Sequence, residues 1–136
     1  MANFHFDLVS PEKLLFSGEV KQVDVPGAEG DFGVLAEHAP MVTTLRPGIL
    51  TVHGAGGEQR IVVLGGFAEV SVDGLTVLAH VAEAVEDVDR AIIAMRISEL
   101  ESRISKTDPG SELDGLVTRL DHFKEVDRRL TGTSIY

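Results

Sequence analysis

Five histidines, His5, His38, His53, His80 and His122, are the first residues to weigh for chemistry, because imidazole ligates metals and moves protons near neutral pH. No two of them stand at metal-ligand spacing, and no helix-like segment carries H-E-x-x-H. His5 and His53 fall at alternate positions of strand-like runs, which suits surface or strand-pairing roles. Ser10, Ser17 and Ser71 sit in no nucleophile elbow. Glu86 and Asp87 are adjacent and would diverge on a helix, while carboxylates converging from different strands stay open. The glycine-rich stretches Gly54–Gly57 and Gly65-Gly66 lack the Lys-Ser/Thr and the helix that phosphate cradling needs, so they predict a hairpin loop and a strand bend. The absence of cysteine removes disulfides, thiolate catalysis and Cys-ligated zinc. No catalytic residue and no metal site is expected.

The elements that would carry such residues come in two kinds. Phe4, Phe6 and Leu8 alternate with His5 and Asp7, the period of a strand with one buried face. Further short runs rich in Val, Ile and Thr follow: Val20–Val25, Met41–Leu45, Ile49–His53, Ile61–Leu64, Phe67–Val72 and Leu75–His80. Turn chemistry separates them, with Pro26-Gly27, Pro47-Gly48, Gly54–Gly57 and the hairpin pair Asp73-Gly74. This spacing predicts a β-sandwich over residues 1–86.

From Asp87 the period becomes helical. Asp87 is a candidate cap, with Asp89 also near the positive end of the helix dipole. Val88, Ala91, Ile92 and Met95 form one apolar stripe, and Ile93, Ile97, Leu100 and Ile104 form a second on nearly the opposite side. Two stripes predict two covering surfaces, the β-domain for the first and another helix for the second. Lys106–Gly110 stops the helix, and Ser111 starts another whose apolar face is Leu113, Leu116, Val117, Leu120, Phe123 and Leu130. The short loop predicts an antiparallel two-helix hairpin over 87–136, with a frayed tail from Thr131. So narrow a seam makes the hairpin the element that opens most cheaply.

The net charge of −10 disfavours nucleic acid and anionic lipid as ligands. Residues 1–86 hold twelve acids and four bases, net −8, whereas 87–136 hold ten acids and eight bases, net −2. No apolar run nears the roughly 20 residues that cross a bilayer. The start, Met1–Asp7, has neither the basic region nor the apolar region of a signal peptide. A soluble protein that meets a membrane only through partners is expected.

The most informative stretch is Val25-Pro26-Gly27-Ala28-Glu29-Gly30-Asp31-Phe32-Gly33-Val34-Leu35, then Glu37-His38-Ala39-Pro40, then Leu45-Arg46-Pro47-Gly48. It resembles the epsilon-subunit family of bacterial F-type ATP synthases, called delta in mitochondria, with its G-x-E-G-[DE]-x-G loop, H-A-P turn and [KR]-P-G turn in that order. Phe6–Glu12 and Gly65–Val70 match the family as well, so the likeness covers most of 4–90. It implies a non-catalytic rotor subunit of the proton-translocating enzyme, peripheral on the cytoplasmic face of the bacterial inner membrane. The sandwich would grip the gamma subunit and rest on the c-subunit ring, coupling ring rotation to ATP synthesis in the catalytic head. Asp31, with Glu29 and Gly30 in its loop, would face the ring, and His38, with Pro40 in its turn, would face gamma. Gly27, Gly30 and Gly33 are expected to give the first loop unusual backbone angles.

The resemblance also implies a hairpin that folds against the sandwich or extends along gamma to the catalytic alpha and beta subunits, blocking ATP hydrolysis. Arg119, Lys124, Arg128 and Arg129 would then meet an acidic segment of beta. A solvated helix face with local pairs, Glu125 with Arg128 or Arg129, is the equal alternative. Some relatives bind ATP through a hydrophobic residue, Asp, two variable positions and Arg-Ala. Here Val88-Asp89 is followed by Ile92-Ile93 at the Arg-Ala positions, and the register that restores Asp87 with Arg90-Ala91 puts Glu86 at the hydrophobic site. No cofactor is expected, and ATP at Asp89 and Arg90 would have to use this departing motif. A small ligand-binding sandwich is the alternative class, though the lack of Trp and the single Tyr136 count against sugar stacking.

Overall fold

The alternation at the start builds strand β1 (Phe4–Val9), whose Phe4, Phe6 and Leu8 are buried while His5, Asp7 and Val9 are half-buried. The computed structural model describes residues 3–133. The chain divides into two compact units, Met1–Glu86 and Asp87–Tyr136.

The first unit adds β2 (Leu14–Val20), β3 (Gln22–Gly27), β4 (Gly30–Val34), β5 (Met41–Gly54), β6 (Gly57–Ser71), β7 (Gly74–Ala79) and β8 (Ala82–Ala84). They run in the order β2-β1-β7-β6-β5-β3-β4, with β8 also on β6. Every pair is antiparallel except β1 with β7. One core gathers side chains from nearly every strand, among them Phe6, Leu8, Val23, Val25, Leu50, Val63 and Val77.

A single sheet encloses that core because its two long strands bend. In β6 the inward set is Ile61 and Val63 before Gly65-Gly66, and Ala68 and Val70 after it. Both glycines have positive φ, 100° and 132°, and that pair reverses which face looks inward. β5 makes the same switch, from Leu45 to Leu50 and Val52. The strand bend expected at Gly65-Gly66 is therefore the hinge between the two layers of the sandwich.

Three turn expectations need correction. Pro47-Gly48 is no turn: it lies inside the 14-residue β5, where Pro47 pairs with Leu64. Gly48 is there for space, since a Cβ would sit 2.6 Å from the Cβ of Pro26. The turn after β6 is Val72-Asp73, with Gly74 already paired to Ser71 and to His5. The Gly27–Gly33 segment is a tight hairpin closed by Gly27 opposite Gly30, not an irregular loop. Only Gly30 of its three glycines has positive φ. Gly27 is required by crowding, because a Cβ there would lie 2.7 Å from the Gly30 carbonyl oxygen and 2.9 Å from the Phe32 ring. Strands β2, β4 and β8 lacked a clean apolar alternation and escaped the sequence pattern.

A short 3-10 turn, Val85–Asp87, spans the boundary, and the second unit holds α1 (Arg90–Ser105) and α2 (Ser111–Thr133). The cap is Asp89, not Asp87: its carboxylate accepts from the Ala91 N–H at 2.9 Å. Arg90 at the start of α1 pairs with Asp127 near the end of α2 at 3.1 Å, as an antiparallel hairpin requires. The second stripe is the more deeply covered, with Ile93 and Leu100 buried. In the first stripe, Ile92 is 45% and Met95 54% exposed. On α2, Val117 is exposed and Val126 is buried instead, continuing the spacing of Leu116, Leu120 and Phe123. Helix α2 runs to Thr133, and the rest of the tail expected to fray, 134–136, lies outside the described residues.

Candidate partner-binding surface

Outward positions of a strand on a solvated sheet are ordinarily polar. The β2-β1-β7-β6-β5 face breaks that rule along one row. Thr44 lies opposite Phe67, Phe67 opposite Leu78, Leu78 opposite Val9, and Val9 opposite Leu14. Phe67 is 48% and Leu78 51% exposed, Leu14 is also exposed, and Val42 stands in the next row opposite Glu69. A contiguous exposed apolar row on a folded sheet marks a surface built to be covered. Its signal was in the sequence, as apolar residues at the outward phase of strands whose inward phase was already filled.

Two of the sequence-predicted segments flank β4, one before it and one after it. The β3–β4 hairpin carries Glu29 and Gly30 at its tip and Asp31 on its outgoing strand, all exposed. Arg46, from the bend of β5, donates to the Gly27 carbonyl oxygen at 2.6 Å and forms a short ion pair with Asp31. Beyond β4 the chain turns through Glu37, which has φ 67°, and the His38 Nδ1 bonds the Ala39 carbonyl at 2.7 Å. The His38 ring lies 6.3 Å from that of Phe32, which ties the turn to the hairpin. His38 and Pro40, with Phe4, Leu35 and Val72, line an open groove of about 360 Å³. No sequence signal had paired Arg46 with Asp31, 15 positions away.

Two of the other histidines, His5 and His53, stand beside acids, while the His80 ring meets that of Phe67 at 6.4 Å. His5 Nε2 lies 2.9 Å from Asp7, and its Nδ1 3.3 Å from Glu19 on β2. His53 likewise stands between Asp24 at 2.8 Å and Glu58 at 3.6 Å. The bond to Asp7 raises the His5 pKa above the ordinary histidine value, and the Ser17 hydroxyl lowers that of Asp7. Ser17, His5 and Asp7 thus meet, which sequence reasoning had missed, but in the wrong order for nucleophilic catalysis. The Ser17 hydroxyl donates to the Asp7 carboxylate at 2.6 Å and lies 3.4 Å from the imidazole, so its proton goes to the acid and not to a histidine base.

On the helices, the four predicted basic residues do not form one cluster. Arg119 lies over the Phe123 ring at 5.4 Å, Lys124 is 3.9 Å from Glu101, and Arg128 pairs with Glu125. Arg129 also has a partner. Asp89 is engaged as the helix cap and Arg90 in its pair with Asp127, so both residues of the departing nucleotide motif already carry structural bonds. Among the described residues, no helix is long and apolar enough to cross a membrane.

Residues 3–85 match the family described as ATP synthase, Delta/Epsilon chain, beta-sandwich domain. Over all 136 residues and the full length of each relative, the chain is 59% identical to the ATP synthase epsilon chain of Afipia carboxidovorans. It is 62% identical to that of Rhodopseudomonas palustris strain BisA53 and 60% to that of Nitrobacter winogradskyi, again over full length. Among solved structures it is similar to a chain in the Euglena gracilis mitochondrial ATP synthase, OSCP/F1/c-ring in rotational state 1. That match has a TM-score of 0.67 and 24% identity, covering 100% of this chain and 83% of the other. A chain from the Tetrahymena thermophila mitochondrial ATP synthase central stalk and c-ring matches at a TM-score of 0.54 and 14% identity, covering 62% and 68%. At such identities the structures speak to fold, and the curated relatives to family.

Proposed function

The chain belongs to the epsilon-chain family of F-type ATP synthases, and on that premise we propose that its sandwich is a mechanical coupling piece with no catalytic site of its own. Membership makes it a subunit of a membrane-associated complex. In the proposed arrangement, the apolar row Leu14–Val9–Leu78–Phe67 with Val42 docks on the gamma subunit of the central stalk. The groove beside His38 and Pro40 receives an apolar side chain of the same partner. The hairpin of Glu29, Gly30 and Asp31 meets the c-subunit ring, and the subunit sits peripherally on the cytoplasmic face of the membrane.

The exposed apolar row carries this reading. Water disfavours it at about 25 cal/mol per Å², so a protein partner of matching shape gains from covering it. The net charge of −10 directs the choice toward protein rather than toward an anionic membrane surface. Capture of purified gamma subunit by the full chain tests it. Phe67→Asp and Leu78→Asp change outward side chains and leave the core untouched, so folding persists while capture falls by at least tenfold, the effect of burying an unpaired charge. Undiminished capture by both folded variants would end the proposal.

The helical hairpin is proposed to act as the brake on ATP hydrolysis, extending toward the catalytic alpha and beta subunits. Support comes from its exposed Ile92 and Met95, an apolar stripe available to a second surface. In the described conformation its basic side chains hold local partners on exposed helix faces. Such surface pairs are worth about 0.5 kcal/mol each and exchange readily for others. ATP is not assigned to the hairpin, since Ile92-Ile93 stand where the nucleotide motif has Arg-Ala.

A further inference from the structure

The face that carries the apolar row also carries a carboxylate with no counter-charge in the chain. Glu69 is the next outward position after Phe67 on β6, about 7 Å along the strand. It lies opposite Val42 on β5 and Thr76 on β7, and the row continues from Thr76 to Asp7 and Ser17. Glu69 is exposed, yet among the described residues no group forms a hydrogen bond or ion pair with it.

The other strand acids mostly have partners. Asp7 and Glu19 share His5, Asp24 and Glu58 share His53, and Asp31 has Arg46. Glu83 has none, but it lies on the three-residue β8, whereas Glu69 stands inside the sheet between β5 and β7. The outward positions that Leu14, Ser17, Glu19, His5, Asp7, Val9, Thr76, Leu78, Phe67, Glu69, Val42 and Thr44 fill include no lysine or arginine.

We infer that the gamma subunit presents a lysine or arginine to Glu69, and that this pair sets the register in which gamma seats on the apolar row. The inference rests on the docking of that row on gamma. A partner that covers Phe67 and Val42, 48% and 68% exposed, passes over the carboxylate beside them. Removing an ionised carboxylate from water without a counter-charge would cancel much of what covering the row gains. Asp7 needs no such group, because His5 and the Ser17 hydroxyl already hold its Oδ1. The row Leu14–Val9–Leu78–Phe67 is apolar along its length, so contact with it alone would let a partner slide. One charge set beside its β6 end fixes the position and rejects an acidic surface.

Binding of the full chain to immobilised purified gamma tests this, after circular dichroism has shown each variant to be folded. Glu69→Gln is expected to lower the affinity by about tenfold or more, and Glu69→Lys by about a hundredfold. Asp7→Asn, whose acid is partnered within the chain, is expected to lose less than about threefold. Glu69→Lys is then set against gamma variants in which each exposed lysine or arginine in turn becomes glutamate. One of them is expected to recover about tenfold.

Binding by Glu69→Gln as tight as that of the wild-type chain would overturn the inference, because gamma then leaves the carboxylate in water. A loss in Glu69→Gln that no exchanged gamma recovers would overturn the claim of a basic side chain. An equal loss in Asp7→Asn would overturn the assignment to Glu69. Failure of the docking reading shows separately, as undiminished capture by Phe67→Asp and Leu78→Asp.

Discussion

Gly66→Ala against Gly57→Ala isolates what the bend of β6 requires. Both glycines have positive φ, 132° and 116°, so an alanine pays a similar backbone cost at each, about 1–2 kcal/mol. They differ in what the new methyl meets. At Gly57, the end of the β5–β6 hairpin, nothing lies within 4 Å. At Gly66 the methyl carbon would stand 2.1 Å from the Leu78 carbonyl oxygen and 2.8 Å from the Ala79 Cα. Ordinary contact needs more than 3 Å, so β7 must retreat by about 1 Å. That strains the pairing of Gly66 with Ala79 and of Phe67 with Leu78. Losing two ladder hydrogen bonds and loosening the side chains beneath adds about 2–4 kcal/mol. The expected totals are about 1–2 kcal/mol for Gly57→Ala and about 3–6 kcal/mol for Gly66→Ala, against a typical domain stability of about 5–15 kcal/mol. Urea unfolding of the full chain, followed by far-UV circular dichroism and extrapolated linearly, measures both. Two variants within about 1 kcal/mol of each other would refute the claim that close approach to β7, and not φ alone, fixes glycine at the bend.

The other predictions concern separate parts of the chain. Phe123→Ala should destabilise the helical unit by about 3–5 kcal/mol, read as fast amide exchange along α1 and α2, while exchange at Leu50 in the sandwich stays slow. His5 has a raised pKa in the folded state, so its pair with Asp7 stabilises fully below about pH 6.5 and loses that effect as pH rises through the folded pKa. Asp7 is depressed chiefly by Ser17, so its contribution is present above the ordinary aspartate value near 3.8 and is lost as pH falls through the folded value. The Tm gap between the wild-type chain and His5→Ala should thus be widest from about pH 4 to 6.5, and a gap that widens above pH 7 would contradict the assignment. Truncation after Glu86 should leave a cooperatively folding sandwich that still captures gamma. The complex rebuilt with it should hydrolyse ATP faster, and an unchanged rate would remove the hairpin as a brake.

The sequence by itself determined the two-part plan, because the change from period two to period 3.6 at Asp87 is written in local apolar spacing. It also determined the family, through the glycine, His-Ala-Pro and Arg-Pro-Gly motifs, which are contiguous in the chain. Helix ends were legible to within a few residues, and the Asp89 cap was missed because Asp87 offers the same side-chain chemistry two positions earlier. Tertiary structure decided what depends on neighbours distant in sequence. Pro47-Gly48 has the composition of a turn, yet it runs on as strand because Pro26 from β3 packs against Gly48 and Leu64 supplies a partner. The apolar row becomes a surface only when β2, β1, β7, β6 and β5 lie side by side, since each strand contributes one or two of its residues. Asp31 and His38 were legible as loop residues of interest, but not that Arg46 takes hold of Asp31 and the Phe32 ring lies beside His38. Local pattern reports how a segment meets water. The partner of a charge is set by strand register, which is fixed only when the whole sheet closes.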